Sequence, residues 1–200
     1  MRRLLVGISG GSGPVMAVRL LQQLDAHDDV YVHLVASAAA RRTLAIESPE
    51  WSWDAVKELA DEVHDHRDIA AAPASGSFAL EAMVVIPASM NTCAAIAWGH
   101  TSNLLTRAAD VCLKERKNLV VVPRETPLHE GHLETLARLS RLGACVLPPV
   151  IAFYHRPQTV LEIVDHTVGK VLDQLDVPHE LFRRWAGPPE GDATDVGDDA

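Results

Sequence analysis

Five short apolar runs, separated by stretches of helical periodicity, constrain this chain more than any other feature. Arg3–Ser9, Val30–Ser37, Ala82–Ala88, Asn118–Pro123 and Ala144–Leu147 read as strands, being short apolar runs bounded by turn or polar residues. Between them the apolar residues recur at helical spacing, as in Pro14–His27, where Val15, Val18, Leu21 and Leu24 share one face. Arg41–Glu47, Trp53–Asp65, Thr92–Trp98, Asn103–Lys117, His129–Leu142 and Thr159–Leu175 read as further helices. Strands that are apolar throughout must be covered on both faces, and strand–helix alternation supplies the cover. The expected fold is therefore α/β, a doubly wound, mostly parallel sheet with helices on both faces. No internal repeat or linker divides residues 1–186, which read as a single domain.

Composition agrees with that reading. Hydrophobic residues make up 48% of the 200, enough for one substantial core, and aromatics only 4%, so Ala, Val and Leu do the packing. The net charge of −9 argues against a protein held to nucleic acid by a basic surface. Five of those negative charges belong to the segment 187–200 (Glu190, Asp192, Asp195, Asp198 and Asp199), leaving −4 for the body. This acidic tail, rich in Gly, Pro and Asp, reads as disordered. Cys93, Cys112 and Cys145 are widely spaced, with no CxxC pair, and sit in apolar contexts as expected of buried thiols. The first residues carry too short an apolar run for a signal peptide, and nothing approaches a membrane span. A soluble, cytoplasmic protein is expected.

The first strand is followed directly by Ser9-Gly10-Gly11-Ser12-Gly13-Pro14. Glycines there permit a tight turn and close approach of a ligand to backbone amides, and a helix N-terminus is a ready anion site. The loop is neither the GxGxxG dinucleotide fingerprint nor a Walker loop. Ser37 ends the second strand, and Ser89-Met90-Asn91-Thr92 follows the third. Each alone reads equally well as a helix cap. Together, three strands ending in small polar residues favour a flat cofactor lying across the strand ends.

Charged residues gather in Thr106–Glu125. Arg107 and Lys114 are seven positions apart, two turns on one helix face, and the next strand ends in Arg124-Glu125. Three cations and a carboxylate converging on a strand's C-terminal end point to a phosphorylated ligand, although a solvated helix carries the same charges. The loop Ala74–Phe78 could close over a ligand or serve as a plain connection. Tyr154, in the aromatic segment Ala152–His155, could donate to a phosphate or be a core tyrosine with a wet hydroxyl. The closest histidine spacings, His64/His66 and His129/His132, match no metal signature, so no metal is expected. No GxSxG elbow marks a hydrolase.

These motifs match a family. The segments SGGSG, ASGSF, NLLTRAADVCLKERKNLVVVPRETPLHEGHL and PPVIAFYHRPQTV resemble those of the UbiX-type flavin prenyltransferases, over about Arg3 to Trp185. That family has a Rossmann-like flavoprotein fold shared with flavin-dependent cysteine decarboxylases. The resemblance implies transfer of a dimethylallyl group from dimethylallyl monophosphate to N5 and C6 of reduced FMN, the product serving a UbiD-type decarboxylase. It implies FMN contacts from Gly10, Gly11, Ser12, Ser37, the Ser89–Thr92 segment (Ser89, Met90, Asn91, Thr92) and Arg124, with Ser12 also near the reacting centre. The prenyl phosphate would be held by Lys114, Arg124, Tyr154 and Lys170, with Arg107 close by. Glu125 would handle protons, and Trp185 would cover the isoprenoid. A homo-oligomer, a dodecamer with sites shared between subunits, is implied as well. The chain departs from the usual pattern at Gly11, Pro14, Met16, Ala88, Trp98 and Lys170, which bears on the prenyl donor, monophosphate or diphosphate, more than on the FMN site. Two other readings keep the fold: a flavin-dependent cysteine decarboxylase, and a non-catalytic FMN-binding subunit of a decarboxylase complex.

Overall fold

The computed structural model of the chain describes residues 1–187. Its elements run β1 (Arg2–Ile8), α1 (Val15–Asp25), β2 (Val30–Ala36), α2 (Ala38–Glu47), α3 (Trp53–Lys57), β3 (Glu62–His64), β4 (Ala82–Ala88), α4 (Met90–Ala97) and α5 (Leu104–Lys114). They continue with β5 (Asn118–Pro123), α6 (Glu130–Arg141), β6 (Cys145–Val146) and α7 (Val160–Gln174). A short 3-10 turn, Ala72–Ala74, precedes β4.

All six strands form one sheet in the order β3-β2-β1-β4-β5-β6, and every pairing is parallel. The chain winds outward from β1 to one edge, then returns beside β1 to build the other half. Its switch point therefore lies between β1 and β4, where the crossovers diverge and open a crevice at the C-terminal strand ends.

Side chains alternate across the strands and divide the core in two. Leu4, Val6 and Ile8 pack with α1 and α7, while Leu5, Met83 and Val85 pack with α4 and α5. Thus α1 and α7 cover one face, and α4, α5 and α6 the other. All seven residues of β4 are buried, as its wholly apolar sequence requires.

Several boundaries differ from the sequence reading. The helix expected over Trp53–Asp65 ends at Lys57, and Glu62–His64 is instead a sixth strand pairing with β2. With a single apolar residue, Val63, it carries no strand pattern; the backbone forms it. Asp61 holds it to β2, its amide donating to the Val32 carbonyl (3.0 Å) and its carboxylate accepting from the Val32 amide (2.7 Å). The helices expected from Arg41 and Thr92 begin at Ala38 and Met90, because Ser37 and Ser89 cap them. The fifth expected strand shortens to Cys145–Val146. The acidic tail lies outside the described residues apart from Gly187.

Candidate functional site

The crevice between β1 and β4 is built around Ser9. This buried hydroxyl donates to the Pro87 carbonyl (3.0 Å) and accepts from the Ser89 amide (2.7 Å), tying the end of β1 to the turn after β4. The glycine loop leaves from that tie. Gly10 lies against Ala39 of α2 and Gly11 against Pro87 of β4, wedging the loop between the neighbouring strand ends. Gly13 takes a left-handed φ of 87°, which lets the loop turn into α1.

The donors of this loop already face a carboxylate. Glu47, the last residue of α2, accepts from the Ser12 hydroxyl at 3.0 Å and from the Gly13 amide at 2.7 Å. A negative group at the N-terminus of α1 is what the helix dipole favours. Glu47 was not singled out in the sequence: an exposed glutamate on an amphipathic helix gives no periodic or motif signal, and only the fold brings it 35 residues back to Ser12.

Ser37 and Ser89 stand at the strand ends on either side of β1 as N-caps, accepting from the Ala40 amide at 3.0 Å and the Thr92 amide at 3.3 Å. The Ser89 and Thr92 hydroxyls also lie 3.1 Å apart. Asn91 is exposed beside them, whereas the Met90 side chain belongs to the core under α4. Three strand ends, β1, β2 and β4, adjacent in the sheet, thus present hydroxyls and helix N-termini in one row.

The cations fall in three places. Arg107 forms an ion pair with Asp110 (2.9 Å) and donates from Nε to the Ala74 carbonyl (3.2 Å). Lys114 pairs with Glu115, whose carboxyl is held below its usual pKa by that contact, and Lys117 donates to the Phe78 carbonyl at 2.8 Å. The loop Ala74–Phe78 is therefore laid along α5. At Gly76 it comes so close that a Cβ would collide with the Lys114 ammonium and the Glu115 carboxylate.

Arg124 and Glu125 follow β5. The Arg124 amide donates to the Ala88 carbonyl (3.0 Å), which sets the residue next to the Ser89 turn. Both side chains are exposed; among the described residues Arg124 has no ion pair, and Glu125 accepts from the Thr126 amide at 3.1 Å. Lys114 is not with them. It closes α5 at the opposite, N-terminal end of β5, whose six residues span about 20 Å. The convergence expected of Arg107, Lys114 and Arg124 on one strand end does not occur within a chain, because α5 runs antiparallel to the strand it feeds.

The third group surrounds α7. The Tyr154 hydroxyl meets His166 Nε2 at 3.0 Å, the His166 ring stacks on His155, and the Trp185 ring stands 6.0 Å from that of Tyr154. Trp185 is 64% exposed. Burial, then His155 and Lys170, push the His166 pKa below its usual value against the pull of Asp173. Lys170 pairs with Asp173 at 3.1 Å, an aspartate also held by Arg184 (2.7 Å) and His179 (3.1 Å). Burial alone would raise the Asp173 pKa, but the hydrogen bonds from Arg184, Lys170 and His179 outweigh it and hold it well below the usual carboxylate range. Since α5 and α7 cover opposite faces of the sheet, Lys170 and Lys114 are also apart in one chain.

The cysteines take no part. Burial pushes the thiols of Cys93 and Cys112 up to about 12, so neither is a ready nucleophile.

Comparison with known proteins gives concordant matches. Residues 1–183 match the family model described as Flavoprotein. The chain is 53% identical over 189 residues to the flavin prenyltransferase UbiX of Salmonella typhimurium, covering 94% of this chain and 100% of that one. It is 48% identical over 187 residues to the flavin prenyltransferase LpdB of Lactiplantibacillus plantarum, covering 94% and 100%. A crystal structure of AnUbiX (PadA1) in complex with FMN and dimethylallyl pyrophosphate superimposes with a TM-score of 0.90 at 41% identity, covering 93% of this chain and 98% of that one. A dodecameric FMN-dependent UbiX-like decarboxylase from Escherichia coli O157:H7 gives the same score at 47% identity, covering 92% and 100%.

Proposed function

We infer that this chain, which belongs to the flavoprotein family, is a flavin prenyltransferase that joins a dimethylallyl group to reduced FMN. The observation that carries the reading is the row of strand ends at the switch point: the Gly10–Ser12 loop, Ser37 and the Ser89–Thr92 turn lie side by side on β1, β2 and β4. A planar cofactor fits across such a row, with hydroxyls and backbone amides available to its polar edge. FMN, when bound in its reduced form, supplies the nucleophilic nitrogen and carbon that receive the prenyl group.

The chain's own residues handle the leaving group and the protons. Breaking the C–O bond of an allylic phosphate places negative charge on the phosphate, and Lys114, Arg124 and Lys170, with Arg107 nearby, provide cations to meet it. Arg124 offers a planar fork for phosphate oxygens next to the Ser89 turn. Tyr154 adds a hydroxyl donor. The allyl fragment turns cationic, and Trp185 and Tyr154 offer aromatic faces to it. Glu125 protonates the departing phosphate. Glu47, already hydrogen-bonded to Ser12, would accept through that hydroxyl the proton released at the bound flavin.

Because Lys114 and Arg124 stand at opposite ends of β5, and Lys170 on the other face from Lys114, a complete phosphate site draws on more than one copy of the chain. The family resemblance and the dodecameric relative support a dodecamer. The prenylated flavin passes to a UbiD-type decarboxylase. No helix among the described residues is long and apolar enough to cross a membrane, and the free cysteines suit the cytoplasm.

The test is direct. Purified protein is incubated without oxygen with reduced FMN and dimethylallyl monophosphate, then with the diphosphate, and the flavin is weighed by mass spectrometry. An increase of one isoprenyl unit is expected. An unchanged flavin with both donors would leave a binding subunit or a cysteine decarboxylase as the remaining readings.

A further inference from the structure

We propose that His33, Glu62 and His64 form a binding site for a divalent transition metal, of the zinc class, that pins the edge strand β3 to β2. The site is separate from the strand-end crevice and goes beyond the prenyl-transfer reading.

Strand register makes the cluster. In β2–β3, His33 pairs with Glu62 and Val35 with His64, so all four side chains project from the same face of the sheet. Glu62 and His64 are two residues apart and therefore share that face, with His33 opposite one and diagonal to the other. The separations that result are 3.1 Å between His33 Nδ1 and His64 Nε2, 3.4 Å from His33 Nδ1 to Glu62 Oε2, and 3.7 Å from His64 Nε2 to the other carboxylate oxygen, Glu62 Oε1. A tetrahedral ion with bonds of 2.0–2.1 Å places its ligand atoms about 3.4 Å apart. The three spacings bracket that value, and one ligand atom from each residue lies within 4.8 Å of the other two, so an ion can be seated among them with little movement of the backbone.

The chemistry of the donors agrees. Two imidazoles and one carboxylate are borderline ligands suited to Zn²⁺, and three protein ligands leave a fourth position for water. His33 is only 2% exposed and its other nitrogen, Nε2, is enclosed with no partner among the described residues, so Nδ1 is the atom through which it acts. Glu62 is exposed, giving the ion a route in. Phe78 packs edge-on to His33 with ring centres 5.2 Å apart, so the ion would also steady the end of the loop laid over Arg107 and Lys114.

The experiment uses the full chain, stripped of metal with a chelator. Zn²⁺ is added, unbound ion is removed by gel filtration, and retained zinc is measured per chain; Co²⁺ is used in parallel for the visible absorption of a tetrahedral centre. One zinc per chain and a rise in melting temperature are expected for the native sequence. Glu62→Gln, an exposed change that spares packing, should weaken retention by at least the roughly 10- to 100-fold that loss of an outer-shell partner costs. His64→Ala should abolish it, with far-UV circular dichroism confirming the fold, and His129→Ala/His132→Ala should bind as the native chain does. Failure of the native chain to retain zinc, or equal retention by Glu62→Gln and His64→Ala, would overturn the site. Neither outcome depends on flavin or prenyl phosphate.

Discussion

The Ser12 hydroxyl donates to the Glu47 carboxylate across 3.0 Å, and the neighbouring Gly13 amide donates to the same oxygen at 2.7 Å. A carboxylate so held has its orientation set in advance, and the proposed proton relay runs through the Ser12 hydroxyl to it. Glu47→Gln should keep FMN affinity and slow prenyl transfer by about 10²- to 10⁴-fold, the range of a general acid or base. Anaerobic single-turnover kinetics measure this; a normal rate would reduce the pair to a helix-end contact.

Glu125 lies next to Arg124, exposed, and among the described residues its carboxylate accepts only from the Thr126 amide of its own turn. Glu125→Gln should bind FMN and dimethylallyl monophosphate normally while the transfer step slows, and, because a general acid acts only while protonated, the variant should lack the rise in rate that the native chain shows as pH falls. A pH–rate profile for single turnover separates this from mere loss of charge.

Arg124 and Lys114 should act on the phosphate. A hydrogen bond to a charged group is worth about 1.5–3 kcal/mol, so alanine at either position should weaken prenyl-phosphate binding roughly 10- to 150-fold while FMN binding persists in Lys114→Ala. Arg124→Lys should recover little, because an ammonium cannot replace a planar fork. Equilibrium titration of the FMN-loaded protein with dimethylallyl monophosphate provides the readout.

His166 sets a pH limit on the Tyr154 region. Its folded pKa lies below the usual 6.5, through burial first and then His155 and Lys170. The unfolded chain therefore takes up the proton first, and stability is full above about 6.5 and declines as pH falls toward the folded value. Melting temperatures measured from neutral pH downward should fall, and His166→Gln should fall less.

Legibility followed burial. β1, β2, β4 and β5 could be read because each is an apolar run that both faces of the sheet demand, and α1 because Val18, Leu21 and Leu24 keep one stripe. β3 could not: Glu62, Val63 and His64 form an edge, where backbone pairing and Asp61 replace the apolar signal. Ser37 and Ser89 were visible as polar strand ends, and capping by both explains why two helices start earlier than their periodicity. Glu47 left no trace, since what places it at Ser12 is tertiary. The ion pair of Arg107 with Asp110, at i,i+3, was legible in principle from spacing alone.

The opposed positions of Lys114 and Arg124, one at each end of β5, carry a genetic consequence. If each site takes its lysine from one copy and its arginine from another, two alleles impaired for opposite reasons can cure each other. Chains bearing Lys114→Ala and chains bearing Arg124→Ala, each weak in prenyl-phosphate binding alone, would regain sites with both cations when assembled together, about a quarter of them in a random mixture. Complementation of that kind in a strain expressing both alleles would show that activity is inherited by the assembly rather than by the chain.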